Sequence, residues 1–234
     1  MPEIRPNSQY NIARPDSLPI RVAAAQRRVM FDMFVKATGL ASGMTILDVG
    51  VTSDRSYSHS NYLESWYPEK SAITALGMDD AGFLEEIYPG VKFVIGSGLA
   101  LPFDDQSFDV IHSSAVIEHV GSRANQIKVV EECARVARRA FFLTTPNRWF
   151  PIEFHTILPL VHWLPQRMFR AIISRIGYGF FAKEENLNLL TSADLAEIAR
   201  EADGLERFSC TVSNVRLLGW PSNLLLMGLK RDLG

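Results

Sequence analysis

The sequence predicts an α/β chain built on an open, mostly parallel sheet with helices on both faces. Three observations carry this. Short β-branched and apolar runs alternate with amphipathic helical stretches between Met44 and Thr145. The connections between them are short, as crossover units require. The runs are apolar almost throughout, which suits strands covered on two sides rather than one.

The elements follow in order. Residues 1–18 read as a polar, proline-bearing arm. A helix is expected from Leu18, with Val22, Ala25, Val29 and Met33 on one face and Met30 and Phe34 beside it; Gly39 and Gly43 end it. Met44 to Gly50 reads as a buried strand entering a tight turn. Asn61 to Tyr67 suits a short helix stopped by Pro68, and Ala72 to Met78 a second strand ending at Asp79. Asp80 is the expected N-cap of a helix through Tyr88, before Pro89-Gly90. Val91 to Ile95 and Phe108 to Ser113 are the third and fourth strands. A helix from about Ser122 to Arg138 places Ile127, Val130, Ala134 and Ala137 on one side. Ala140 to Thr145 is the fifth strand, broken by Pro146-Asn147. Thr191 with Asp194 resembles a capping box opening a last helix. Arg207 to Val212 and Asn223 to Lys230 close the pattern, with a loop at Trp220-Pro221.

Composition narrows the function classes. At 234 residues with 47% apolar and 21% charged residues, the chain needs no disulfide or metal staple. A net charge of −2 gives no general attraction to nucleic acid. Cys133 and Cys210 lack metal-ligand spacing and read as reduced core residues. Neither a signal peptide nor an 18-residue apolar run is visible, so a cytoplasmic protein is expected.

In such sheets ligands sit beyond the carboxyl ends of the strands. Asp48 and Gly50 close the first strand, Asp79 the second, Ser97 and Gly98 the third. Ser113 to His119 follow the fourth and Thr145 to Asn147 the fifth. A glycine there lets backbone approach a ligand, and a carboxylate can accept both hydroxyls of a ribose.

These residues carry a resemblance. Ile46-Leu-Asp-Val-Gly50 resembles the first cofactor-binding motif of class I S-adenosylmethionine (SAM)-dependent methyltransferases. Thr74 to Asp79 resembles the strand ending in their ribose-binding acid. Gly96 to Val110 is similar to their adenine-side motif, Ser113 to Val120 to its usual sequel, and Phe142 to Asn147 to the fifth strand of the quinone and small-molecule branch. The resemblance covers about residues 44–147. It implies a Rossmann-like class I methyltransferase fold with a mostly parallel seven-stranded sheet whose last strand is antiparallel. It also implies SAM as cofactor, with Asp48, Gly50, Asp79, Ser97, Gly98, Ser113 and Ser114 as cofactor-binding residues. Gly50 would face the methionine part, Asp79 the ribose and Ser97 the adenine, while Ser113 and Ser114 would sit near the sulfonium or the acceptor.

The chain departs from the pattern twice: Gly50 is followed by Val51-Thr52-Ser53-Asp54 rather than further glycines, and Ser97 stands where an aspartate is usual. An enlarged loop over Ser53 to Ser60 is expected. These departures motivate the alternative of a non-catalytic partner subunit or binding module of the same fold. An NAD enzyme fits less well, because Gly-x-Gly-x-x-Gly is absent.

Methyl transfer needs an aligned acceptor and, for a hydroxyl or amine, a route for its proton. His119 and His155 are the candidate catalytic residues. His112, inside the fourth strand, reads as a core histidine. His155 and His162 would share a face if helical, though Pro159 argues against a regular helix, and His162 reads as a surface or interface residue. Glu118 and His119 are a weak pair for a metal, so no metal site is expected.

The expected organisation is an N-terminal arm and helix over residues 1–43, a SAM-binding core over 44–147, a lid over 148–190 and closing elements over 191–234. The resemblance implies methyl transfer to a small-molecule, sugar-containing or lipid-like acceptor; the apolar stretch Phe150 to Phe181, with Arg167, Arg170 and Arg175, could pack on the core, cover a hydrophobic acceptor, dock on a membrane surface, or form a dimer interface.

Overall fold

The computed structural model describes residues 17–57 and 59–231, so most of the expected arm lies outside the described residues. Among them, seven strands form one sheet in the order β3-β2-β1-β4-β5-β7-β6. These are β1 (Ile46–Val49), β2 (Ile73–Gly77), β3 (Lys92–Ile95), β4 (Phe108–Ser114), β5 (Ala137–Pro146), β6 (Phe208–Leu217) and β7 (Trp220–Lys230). The first five pair in parallel, and β7 runs antiparallel to both β5 and β6. This is the α/β fold anticipated.

Alternation along the strands feeds two cores. Leu47, Ile111, Phe141 and Leu143 face α4 (Arg123–Val136) and α6 (Ser192–Glu201). Ile46, Val110, Ala140 and Phe142 face the other way, onto α1 (Leu18–Thr38) and α2 (Tyr62–Trp66). Gly228 on β7 belongs to the first face, since a Cβ there would lie 2.2 Å from the Phe141 ring.

The buried stripe of α1 is rotated from the expected one. Met30, Phe31 and Phe34 are buried, while Val29 is 43% exposed. The larger side chains fill the space over β4 and β5, where the Phe34 ring meets His112 and Phe142, and turn the valine outward. Gly39, in the left-handed region with φ 61, ends the helix.

Other boundaries move for local reasons. Asp80 does not cap a helix directly: its Oδ1 accepts the Gly82 amide at 2.8 Å, and α3 starts only at Phe83, running Phe83–Ile87. Ser122 caps α4, and Thr191 with Asp194 forms the capping box of α6. The last two strands are longer than expected, joined by the two-residue turn Leu218-Gly219 with φ 50 and 86. Trp220 therefore pairs with Leu217, and Pro221 enters the strand where the register shifts between Val215 and Arg216, a place that tolerates a missing N–H.

No helix crosses His155 and His162. A short 3-10 turn occupies Val161–Trp163, and α5 follows at Gln166–Arg175. Phe169, Ile173 and Phe181 turn inward with Leu187 and Leu189 into a small core of their own. Much of the apolar stretch is thus buried within its own segment, leaving Met168 and Ile176 exposed. No helix among the described residues is long and apolar enough to cross a membrane.

Candidate active site

The strand order reverses between β1 and β4, where a doubly wound sheet opens a crevice at the carboxyl ends of its strands. A cavity of about 490 Å³ lies there. Gly50 to Thr52, Ser97 to Leu99, Ser114 to Val116 and Thr144 line its sheet side. Ile20, Arg27 and Met30 of α1 form one wall, and Phe154, His155 and Ile157 contribute to another.

The turn after β1 explains its glycine. Gly50 N and Val51 N both donate to Leu76 O, at 2.7 and 3.0 Å, which folds the chain back on β2. Gly50 has φ 95, and a Cβ there would lie 2.2 Å from Val116 Cγ2. Side chains then organise the loop where further glycines might have run. Thr52 N donates to Asn61 Oδ1 and Asn61 Nδ2 to Thr52 O, each at 2.9 Å. Asp54, buried beneath, accepts the Ser56 amide at 2.8 Å.

Of the residues expected to bind cofactor, Gly50, Ser97, Gly98 and Ser114 line the cavity. Asp79 is half-buried at the end of β2, next to the lining residue Met78. Asp48 and Ser113 point into the protein. Asp48 Oδ1 lies 2.7 Å from His112 Nδ1, and Ser113 Oγ donates to Val49 O at 3.0 Å. His112 is a core histidine, as expected, with 1% of its surface exposed.

The segment carrying Ser97 is clamped from behind. Arg135 donates to Leu101 O at 3.0 Å and Phe103 O at 2.8 Å, while Glu132 accepts the Leu101 amide at 2.8 Å. The Arg135 guanidinium also grips Glu132 through both carboxylate oxygens. The Arg135 hydrogen bonds hold the Glu132 carboxyl below its ordinary range.

A cluster of titratable groups forms the far wall. His119 Nδ1 lies 2.6 Å from Asn186 O, and His155 Nδ1 lies 2.7 Å from Glu153 Oε1. Both partners are acceptors, so both Nδ1 atoms donate. The two Nε2 atoms face each other at 3.1 Å. Glu118 lies beneath them, its Oε2 accepting from Thr145 at 2.9 Å and its Oε1 3.9 Å from His119 Nε2. Burial pushes Glu118 up to about 7 and, with the charge of His155, pushes His119 down to about 3. Burial also opposes the charged forms of Glu153 and His155. Their mutual attraction and hydrogen bonds win, bringing Glu153 to about 2 and raising His155.

His162 departs from expectation. It is buried, and its Nε2 is 2.7 Å from Phe150 O. Neither Glu153 nor Asn186 is among the site residues expected from the sequence. The Asn186 carbonyl orients His119 across 67 residues of chain, and a backbone carbonyl leaves no sequence signal.

Residues 68–142 match a family model described as a methyltransferase domain. The chain is 40% identical over 68 residues to a probable tRNA methyltransferase 9B of Mus musculus, covering 28% of this chain and 15% of that protein. It is 27% identical over 180 residues to a demethylmenaquinone methyltransferase of Roseiflexus castenholzii, covering 72% of this chain and 70% of that one. The fold is similar to that of a Burkholderia thailandensis 1,6-didemethyltoxoflavin-N1-methyltransferase solved with S-adenosylhomocysteine, with TM-score 0.56 and 15% identity over 93% of this chain and 80% of that one. Its sheet order and the glycine turn at the switch point give the chain a Rossmann-like class I methyltransferase fold, and residues 68–142 carry the match to a methyltransferase domain.

Proposed function

We propose that this protein moves a methyl group from SAM to a small-molecule or lipid-like acceptor carrying a hydroxyl or amine. One observation carries the reading. A single cavity joins the Gly50 turn and the Ser97-Gly98 segment to the His119–His155 wall and to the apolar surfaces of Ile20, Met30, Phe154 and Ile157. Its volume of about 490 Å³ is in the range of pockets that enclose small ligands.

The residues fit the cofactor. Gly50 would leave the methionine end open to backbone contact, Asp79, one residue beyond the lining Met78, would accept from a ribose diol, and Ser97 would offer a hydroxyl to the adenine edge. Bound SAM would supply an electrophilic methyl on a sulfonium: an acceptor lone pair forms the new bond to that carbon, in line, as S-adenosylhomocysteine leaves. The apolar walls align that acceptor and exclude water. His119 and His155 face its hydroxyl or amine and ease loss of the proton. The net charge of −2 and the narrow apolar walls favour a small acceptor over nucleic acid.

Calorimetric titration with S-adenosylhomocysteine, on the intact protein and on Asp79→Ala, tests the cofactor assignment. Removing one charged acceptor from two hydroxyls should weaken binding roughly 10–100-fold. A folded intact protein that binds neither SAM nor S-adenosylhomocysteine would overturn the reading and point to the non-catalytic subunit.

A further inference from the structure

Glu118, His119 and His155 each offer one ligand atom, and these atoms lie within 4.8 Å of one another. The hydrogen bonds behind them matter as much as the proximity. With both Nδ1 atoms donating, to Asn186 O and to Glu153 Oε1, the two rings turn their Nε2 atoms toward each other, and in its neutral form each Nε2 is an acceptor. At 3.1 Å the pair is held either by a proton on His155 donating to His119 or by a cation that both nitrogens bind. Two Zn–N bonds meeting at a tetrahedral angle would hold their nitrogens about 3.3 Å apart.

The carboxylates point the same way. Glu118 Oε1 is buried, has no hydrogen-bond partner, and lies toward the paired nitrogens. Among the described residues, no lysine or arginine forms an ion pair with Glu118 or Glu153, although both are buried. The surroundings also match what metal-bound histidines use. A ligating imidazole donates its second N–H to a carboxylate or a backbone carbonyl, which fixes the tautomer and raises ligand basicity. His155 has the carboxylate and His119 the carbonyl.

We propose that Glu118, His119 and His155 form a binding site for a divalent transition-metal ion, with Zn²⁺ the best match to one oxygen and two nitrogens. His119 and His155 line the cavity, so the remaining coordination position opens toward the acceptor. An acceptor hydroxyl there would bind through oxygen and lose its proton to solvent more readily, because the cation stabilises the anion. The inference rests on the proposed function only for this last role; the binding site stands on its own geometry.

Chelator-stripped protein should take up one equivalent of Zn²⁺ by calorimetry, and one of Co²⁺ with the intense visible bands of a four- or five-coordinate ion. Glu118→Gln and His155→Ala should each abolish stoichiometric uptake. Glu153→Gln, which removes no ligand but weakens the support behind His155 and the bonds to Thr156, should weaken it roughly 10–100-fold while keeping the stoichiometry. S-adenosylhomocysteine titrations on the same samples report folding and the cofactor separately. Cofactor binding without uptake of either ion overturns the metal site and leaves a proton holding the two rings together. Uptake unchanged in Glu118→Gln and His155→Ala also overturns it. Metal uptake without cofactor binding overturns the methyltransferase reading instead.

Discussion

Asp48 on β1 and His112 on β4 are joined across adjacent strands by a 2.7 Å hydrogen bond, with 6% and 1% of their surfaces exposed. The His112 Nδ1–H donates to the carboxylate, so a neutral ring accepts from the Tyr62 hydroxyl, 2.8 Å from Nε2. Burial pushes the Tyr62 hydroxyl above its ordinary range and keeps it a donor. The acid of the first motif thus locks the floor beneath the cavity. Tyr62→Phe should lower unfolding free energy by about 1–2 kcal/mol. His112→Phe strands both partners and should cost about 3 kcal/mol or more. Urea denaturation of both variants checks the ranking, and equal losses would refute the relay.

Gly50→Ala combines a left-handed φ with a contact of 2.2 Å to Val116 Cγ2. It should destabilise the protein by about 2–4 kcal/mol and abolish cofactor binding. Adding Val116→Ala should relieve the overlap but leave the backbone strain. Partial recovery of the melting temperature in the double variant is the expected result, and full recovery would show that the φ angle is immaterial.

The Glu132–Arg135 clamp sets an acid-side limit on stability. Because the folded-state carboxyl titrates below its ordinary range, its contribution is fully present above the unfolded glutamate value of about 4.3. It is lost as pH falls through the lower folded value. Glu132→Gln should cost about 1.5–3 kcal/mol at pH 7 and flatten the fall in melting temperature below pH 5. It should also weaken S-adenosylhomocysteine binding by loosening the Ser97 segment. Parallel melting curves for the two proteins across pH 3–7 would contradict the assignment.

Leu218 occupies the first position of a two-residue turn with φ 50, and 95% of its surface is exposed. The backbone there suits Asn-Gly, and the side chain contributes little burial. Leu218→Asn should raise unfolding free energy by about 0.5–1 kcal/mol. Thermal unfolding checks this, and a lower melting temperature would mean that Leu218 packs in solution against something it helps to hold.

The order of elements was legible because each strand is a short apolar run whose neighbours must be crossover helices. The capping box at Thr191 and Asp194 was legible because both partners lie within four residues. The rotation of α1 was not, since Val29 and Met30 suit a core equally and only the volume over β4 and β5 chooses between them. The β6–β7 turn was misplaced because Trp220-Pro221 carries a loop signature, while the register shift that admits Pro221 depends on the partner strand.

The sequence by itself determined the fold and carried the methyltransferase resemblance: alternating periodicities demand a covered parallel sheet, and the ordered motifs sit at its strand ends because chain direction puts them there. Only the tertiary structure decided which polar residues meet. Asp48 meets His112 because the β1–β4 register sets the two side by side on one face of the sheet. His119 and His155, 36 residues apart, came to 3.1 Å because the Asn186 carbonyl and Glu153 each hold one ring. Spacing along the chain encodes neither contact, since each depends on where a distant segment folds back over the sheet edge.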